Sequence, residues 1–316
     1  MGYLIHLLIL IGIYLLLTQS FNLIFGLGRL LNLAHVSAYA VGAYTTALLS
    51  TNFGCSFWIC MPLSMINGAI LALLITAISL KLDEDYFAVG SLAFNALVNA
   101  VLINWKSVTR GVLGITGIPR PEFAGIDFYD NSNFLLLVAA IDLVSLIILY
   151  RLFNSRIARD LRSQAESATI ARALGKNPVR IRAAAFSVSS LFAGLAGSLF
   201  AYYINYIDPS SFGLSEMIFI LSIVVIGRPG SFWGVILATF FLVLLPEPLR
   251  FIAFDSLADG NTGFLQQYPG LLALVSAFGR FCSENIGHIR QLLYAVILFG
   301  VIYWKRRTIF PSQRTV

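Results

Sequence analysis

RLFNSRIARDLRSQAESATIARALGKNPVRIR, residues 151–182, decides how this chain folds. It is the long polar, basic stretch between two strongly apolar runs, so it sits in water on one side of a membrane while its neighbours sit in lipid. Eight of its residues are Lys or Arg, against only Asp160 and Glu166 on the acidic side.

Around this stretch the composition is that of a membrane protein. The 316 residues are 58% hydrophobic and 11% charged, with a mean hydropathy of +0.84, values outside the range of soluble domains. Several apolar runs approach the roughly 20 residues that a helix needs to cross the hydrocarbon, and none alternates with the two-residue period of a barrel strand. The fold class is therefore all-α, a polytopic helical membrane protein of about 8–10 spans. Net charge is +6, but in such a chain the placement of Lys and Arg matters more than their sum, and no nucleic acid is expected as a partner.

Residues 3–25 form the first span. The first 25 residues carry no Lys or Arg, so they lack the basic start of a cleaved signal peptide and are read as retained. A glycine-rich polar break, GLGRLLNLAH at 26–35, separates this run from a second at 36–50. The break is either a turn at the membrane surface or an unwound segment at depth, which is tolerated only where it lines a cavity or is buried in protein. Further spans are read at 57–80, 86–105, 134–152 and 183–203, a short one at 216–227, then 232–251 and 289–304. Residues 106–133, rich in Gly, Pro and Asp, read as a loop, and 255–286 as a periplasmic or re-entrant connection. In FAGLAGSLFA, Ala193, Gly197 and Ala201 recur every four residues, a spacing that lets helices approach closely. Cys55, Cys60 and Cys282 form no CxxC pair and are odd in number, so free thiols are expected.

Placing 151–182 in the cytoplasm and alternating the spans puts 15 of the 21 basic residues inside. That count selects an outside N-terminus, an inside C-terminus and about nine spans.

Motifs for enzyme chemistry are missing. Gly175-Lys176 is followed by Asn and lacks the upstream glycine of a P-loop, so the chain does not itself hold ATP. His6, His35 and His288 lie on separate segments without zinc-ligand spacing, and there is no serine-hydrolase elbow. No catalytic residue, metal site or cofactor is expected. Within the basic stretch, SQAESATIARAL at 163–174 predicts a short helix with Glu166 near its start and Arg172 near its end, which suits the helix dipole. Gly175 stops it, and Pro178 opens a second short segment. By charge alone a solvated connector reads as well as a docking surface; compactness and the alternation of Ala with Arg favour docking.

These residues also carry a resemblance. ARALG followed by a basic segment and AFSVSSLFAGLAGSLFA resembles the cytoplasmic coupling motif and following span of permeases from ABC importers of branched-chain amino acids. LNLAHVSAYAVGAY at 31–44, DYFAVGSLAF at 85–94 with GITGIP downstream, GSFWGVILATFFLVLLPEPLR at 230–250 and IRQLLYAVILFGVIYWKRR near the end resemble further family signatures, in the family's order. The match covers nearly the whole chain.

The resemblance implies one permease domain over 1–316 in a bacterial inner membrane, N-terminus periplasmic and C-terminus cytoplasmic. It implies a second permease subunit, identical or different, two ATPase subunits bound to the cytoplasmic loops, and a periplasmic substrate-binding protein. ATP hydrolysis then belongs to the partners, and this chain is not an enzyme. Ala171, Leu174 and Gly175, with Arg172 between them, match the coupling motif. Glu166 lies in the same loop but further from Gly175 than the family's acidic residue. Two departures stand out: the usual glycine pair before the late signature is here Gly227-Arg228-Pro229, and 255–286 is longer than the family's connection.

Five polar residues in or beside spans are pathway or substrate candidates. Asn32 and His35 open the second helix, where they serve capping and gating or touch substrate. Asn95 and Asn99 share one helical face and serve hydrogen bonding inside the bundle or the pathway. Asp142 lies nine residues before Arg151, about 13 Å along a helix and near the bilayer centre, where an acid is costly and functional by default. The family puts no acid there, so Asp142 is either protonated or locally paired. Substrate alternatives are urea or a short amide. An ion-coupled secondary transporter is a different class, for which Asp142 is the single intramembrane acid found.

Overall fold

The computed structural model describes residues 2–79, 84–123, 126–167, 171–172, 175–245, 292, 296 and 299–300. Contacts divide the chain into two units, Met1–Phe240 and Phe241–Val316. Nearly all described residues belong to the first. The connection read at 255–286 and most of the last span, 289–304, lie outside the described residues, as do Cys282 and Leu174.

The chain is a polytopic helical membrane protein. Its helices are α1 (Gly2–Gly28), α2 (His35–Phe53), α3 (Phe57–Ser79), α4 (Glu84–Asn104), the single turn α5 (Lys106–Thr109), α6 (Asn131–Phe153), α7 (Arg156–Glu166), α8 (Pro178–Ile204), α9 (Leu214–Ile226) and α10 (Phe232–Leu244). Among the described residues six stretches are long and apolar enough to cross a membrane: α1, α3, α4, α6, α8, and Pro209–Ile226, in which a 3-10 turn at Pro209–Phe212 leads into α9. The short span read at 216–227 thus gains its length from the preceding turn.

Where each helix sits follows from its surface. On α3, Ile66, Ile70, Leu73 and Leu74 are exposed at helical spacing, and on α6 Leu136, Leu143 and Ile147 form a similar stripe. These are apolar faces turned outward, the arrangement lipid requires. Helices α1, α2 and α8 are buried instead. They can be because small residues bring their backbones into contact. A Cβ built on Gly42 of α2 would lie 2.3 Å from the Gly194 carbonyl oxygen, one on Gly194 2.5 Å from that of Ser64, and one on Gly197 2.1 Å from that of Tyr39. Ala193 and Ala201 are fully buried on the same helix. The small-residue face read in FAGLAGSLFA is therefore a contact face, with Gly194 beside Gly197 as its tightest point.

The break between α1 and α2 is buried in protein. Leu30, Asn32 and Ala34 are almost fully shielded, and the freed amides find partners: Arg29 N donates to Phe25 O (3.1 Å) and Leu33 N to Ser91 Oγ (2.9 Å). Arg29 takes the left-handed conformation, φ 53°.

The loop at 106–133 is folded. Strand β1 (Ile115–Thr116) pairs antiparallel with β4 (Tyr206–Ile207), and β2 (Glu122–Phe123) with β3 (Ile126–Asp127). Arg120 joins the layers: its guanidinium donates to the carbonyls of Tyr129 (2.8 Å), Phe128 and Tyr203 (both 3.3 Å) and to Asn131 Oδ1 (2.9 Å), and it lies over the rings of Phe134 and Tyr203. Beyond α8, burial alone would raise the Asp208 carboxyl, but hydrogen bonds from the Ser210 and Ser211 hydroxyls hold it below the usual carboxylate range.

Cys55 and Cys60 are free thiols, Cys60 buried and Cys55 half-buried.

Three substitutions test this fold. Gly194→Val forces α3 and α8 apart and should lower the thermal midpoint of the detergent-solubilised chain, by the equivalent of about 3 kcal/mol or more. Gly213→Ala, with φ −80° and its nearest atom 3.5 Å away, should leave the midpoint unchanged. Arg120→Ala strands three carbonyls and should cost about 2 kcal/mol, read as faster proteolysis of the 106–133 segment.

Candidate functional site

The basic stretch is built on two caps. Ser155 accepts from Ala158 N (3.4 Å) to start α7, and Asn177 accepts from Val179 N and Arg180 N (3.0 and 3.4 Å) to start α8, with Pro178 in the first turn. Two expectations change here. A helix runs Arg156–Glu166, so Glu166 ends a helix instead of starting one, and beyond the break at Ser167 the described residues Ala171 and Arg172 are helical again. Ser167 leaves helical geometry at φ −162°, ψ 115°, and a serine there competes with the helix for backbone hydrogen bonds. Pro178 opens no short segment: it starts the 27-residue α8, whose first turns carry Arg180 and Arg182.

Helix α7 is amphipathic. Ala158, Leu161 and Gln164 are buried, while Arg156, Arg159, Arg162 and Glu166 are exposed. Leu161 packs on the end of α1, where a Cβ on Gly28 would lie 3.1 Å from its methyls. With its amide turned to satisfy both partners, Gln164 donates to Pro178 O (3.2 Å) and accepts from the Arg182 guanidinium, both on α8.

The residues that resemble a coupling motif end in a glycine-capped turn. Gly175 is left-handed at φ 72°; its N donates to Arg172 O (2.9 Å) and Lys176 N to Ala171 O (3.0 Å), the paired bonds of a Schellman cap. Ala171 is buried and Arg172 exposed. Lys176 then pairs with Asp160, tying the turn back to α7. Leu174 lies outside the described residues.

Of the pathway candidates, four gather around the start of α2 and along α4. Asn32 does not cap α2, whose N-cap is Ala34; it accepts from Ala34 N (3.1 Å) in the turn before the helix. His35 is fully buried with Nε2 3.0 Å from Ser20 Oγ, a side-chain partner on α1, and its Nδ1 has no partner among the described residues. Ser189 of α8 donates to Ser20 O (2.5 Å), joining three helices at this point. Ser37 donates to Asn95 Oδ1 (2.8 Å), and Asn99 one turn further donates to Pro209 O (3.4 Å). Asp142 stands apart on α6. It is buried against α1, its Oδ2 2.4 Å from where a Cβ on Gly12 would be, and its Oδ1 has no partner among the described residues.

Polar residues of α1 that the sequence reading passed over form a second seam. Gln19 Nε2 donates to Phe232 O (2.8 Å), Asn22 Nδ2 to Ser231 O (3.2 Å), and Gly230 N to Asn22 Oδ1 (2.8 Å). Thr18 and Thr239 share a hydroxyl contact at 3.0 Å. The signal was present in LLLTQSFNLIF, where Thr18, Gln19 and Asn22 interrupt an otherwise apolar span. Glu216 was also passed over as a second intramembrane acid; its carboxylate is hydrogen-bonded to Tyr14 of α1.

The family model for the permease component of branched-chain amino acid transport systems matches residues 3–303. The chain belongs to this family. It is 37% identical over 286 residues to the high-affinity branched-chain amino acid transport system permease protein LivM of Salmonella typhimurium, and 36% to that of Escherichia coli, each match covering 83% of this chain and 65% of the relative. The chain thus spans about two thirds of these relatives' length. A more distant relative, the autoinducer 2 import system permease protein LsrC of Yersinia pseudotuberculosis, is 26% identical over 92% of this chain and 86% of its own. No solved structure matches.

The α1 seam holds the turn at Gly230 and Ser231 that follows Gly227-Arg228-Pro229. Asn22→Ala removes an acceptor from Gly230 N and a donor from Ser231 O, both in a part-buried site, and should cost about 2 kcal/mol. Hydrogen exchange should show the Gly230 amide exchanging faster, with the amides of α3 unaffected.

Proposed function

We propose that this chain is the membrane-spanning permease subunit of an ATP-binding cassette importer for branched-chain or related amino acids. Family membership over residues 3–303 is the observation that carries the reading. The chain forms one permease domain over 1–316 in the inner membrane, with the N-terminus periplasmic and the C-terminus cytoplasmic, as the distribution of Lys and Arg supports. It works with a second permease, identical or different, two ATPase subunits that hydrolyse ATP, and a periplasmic binding protein that delivers the solute.

The loop of α7 and Gly175 is the seat of an ATPase. Arg172 and Glu166 are exposed there, Ala171 supports the turn from below, and Gly175 supplies the left-handed residue that closes it. Because α7 rests on α1 through Leu161 and on α8 through Gln164, movement of the loop is passed to two central helices. Asn32, His35, Asn95 and Asn99 line or gate the path, and Asp142 tunes α6 against α1. The solute class is narrowed by the binding protein, and a relative that imports autoinducer 2 by name supports a family able to pass different small polar solutes.

Reconstitution with the ATPase subunits and the binding protein tests this. Arg172→Glu should leave insertion intact and reduce solute-stimulated ATP hydrolysis at least about tenfold, equivalent to roughly 1.4 kcal/mol of coupling. Gly175→Pro, which abolishes the amide that bonds Arg172 O, should do the same. Uptake that persists without ATP, or that depends on Asp142 alone through Asp142→Asn, would overturn the proposal.

A further inference from the structure

A cleft of about 360 Å³ opens where the end of α1, helix α7 and the turn before α10 meet, and three arginines line it: Arg29, Arg162 and Arg228. Glu166 is the acid at its wall, and it pairs with none of them; among the described residues the ion pair is Lys176 with Asp160. Arg162 donates weakly to Phe153 O (3.5 Å), while the side chains of Arg29 and Arg228 have no hydrogen-bond partner among the described residues.

Two of these arginines are held against their backbone preference. Arg29 and Arg228 are left-handed at φ 53° and 71°, a conformation that costs a residue with a Cβ and persists only where its surroundings impose it. Here they do. Gly26 touches Gly230, since a Cβ on Gly26 would lie 2.2 Å from Gly230 N, and Asn22 Oδ1 accepts from that same nitrogen. The two arginine turns are therefore locked together, and Leu161 against Gly28 brings Arg162 alongside. Helix-dipole balance accounts for Arg29 at the end of α1, but not for Arg228 or for a strained pair.

We propose that this cleft binds a phosphate group presented by an anionic phospholipid headgroup. A phosphodiester presents two anionic oxygens on a tetrahedral phosphorus, so guanidinium forks can reach them from more than one side, and the planar arginine fork suits bidentate pairing with such oxygens. The position fits a headgroup. Ser231 lines the cleft, and two residues on, Trp233 is 67% exposed with its ring 6.4 Å from that of Tyr150, itself 47% exposed. Exposed Trp and Tyr together mark the level of the membrane interface. The lipid offsets the mutual repulsion of the arginines and steadies the joint between α1 and α10's approach. This site does not depend on the transport reading.

The test is native mass spectrometry of the full-length chain in detergent, titrated with phosphatidylglycerol, phosphatidylcholine and inorganic phosphate. One phosphatidylglycerol should be retained in preference to phosphatidylcholine. Arg162→Gln, on ordinary helical backbone, and Arg228→Gly, which keeps the turn and relieves its strain, should each weaken that binding by about tenfold. Arg228→Gly should do so with a thermal midpoint equal to or above that of the parent, which separates lost binding from lost folding. Arg159→Gln, exposed on α7 outside the cleft, should bind as the parent does. Equal loss in Arg159→Gln, unchanged affinity in both cleft variants, or displacement of the lipid by inorganic phosphate as the preferred ligand would each overturn the proposal. Retention of neither lipid nor phosphate would do the same and leave the cleft to an acidic protein surface.

Discussion

The bundle depends on backbone touching backbone. In lipid there is no hydrophobic gain from bringing two apolar helices together, so association rests on van der Waals contact and on hydrogen bonds across the interface. Gly42, Gly194 and Gly197 remove the side chains that would keep α2, α3 and α8 apart, and carbonyl oxygens of the partner helices fill the space. Contacts around the start of α2 share this separation. His35 meets Ser20, and Ser189 meets the Ser20 carbonyl, because α1, α2 and α8 are already at that distance.

Helix α1 then does what an apolar span alone cannot. Its Thr18, Gln19 and Asn22 face inward: Thr18 meets the Thr239 hydroxyl, Gln19 donates to Phe232 O at the start of α10, and Asn22 satisfies backbone groups of Gly230 and Ser231 in the turn before it, where Pro229 and left-handed Arg228 and Gly230 cannot pair as a helix does. Non-helical backbone within a bundle persists only where protein supplies the missing partners. The same logic holds at the break between α1 and α2, where Ser91 and Asn32 supply acceptors to Leu33 and Ala34. Polar residues in these spans are first of all answers to broken helices. Asp142 is different, since it lies within the unbroken helix α6 and its Oδ1 has no partner among the described residues.

What the sequence made legible was what a single segment encodes. Apolar runs of about 20 residues place the spans, and Gly175 as a helix stop and Ala193, Gly197 and Ala201 as a contact face need only local pattern. Two kinds of feature escaped. One was where a helix begins and ends: 163–174 has helical composition, yet a helix already starts at Arg156, capped by Ser155, and stops at Glu166, with Ala158, Leu161 and Gln164 against the bundle. Likewise Arg180 and Arg182 looked like loop, but long cationic side chains at the watery end of a span belong to the span. The other was long-range pairing. Gln19 with Phe232, and Glu216 with Tyr14, join residues about two hundred positions apart, and no local rule reveals such partners.

These features combine into a mechanical consequence for the proposed function. A ligand or partner shifts a conformational equilibrium only through contacts that differ between two states. An ATPase pressing on Arg172 and Gly175 therefore needs a rigid path to the spans, or its work dissipates locally. The path is short: the Lys176 and Asp160 pair fixes the turn to α7, and α7 bears on the ends of α1 and α8 through Leu161 and Gln164. From there the glycine contacts leave no slack for α8 to move without α2 and α3, so the natural response is a rocking of packed helices as a body. The polar seam of α1 carries the same displacement to the Arg228 turn. Loop and bundle are in this sense one lever, fixed at the loop by the Lys176 and Asp160 pair and stiffened within the bundle by uncharged glycines.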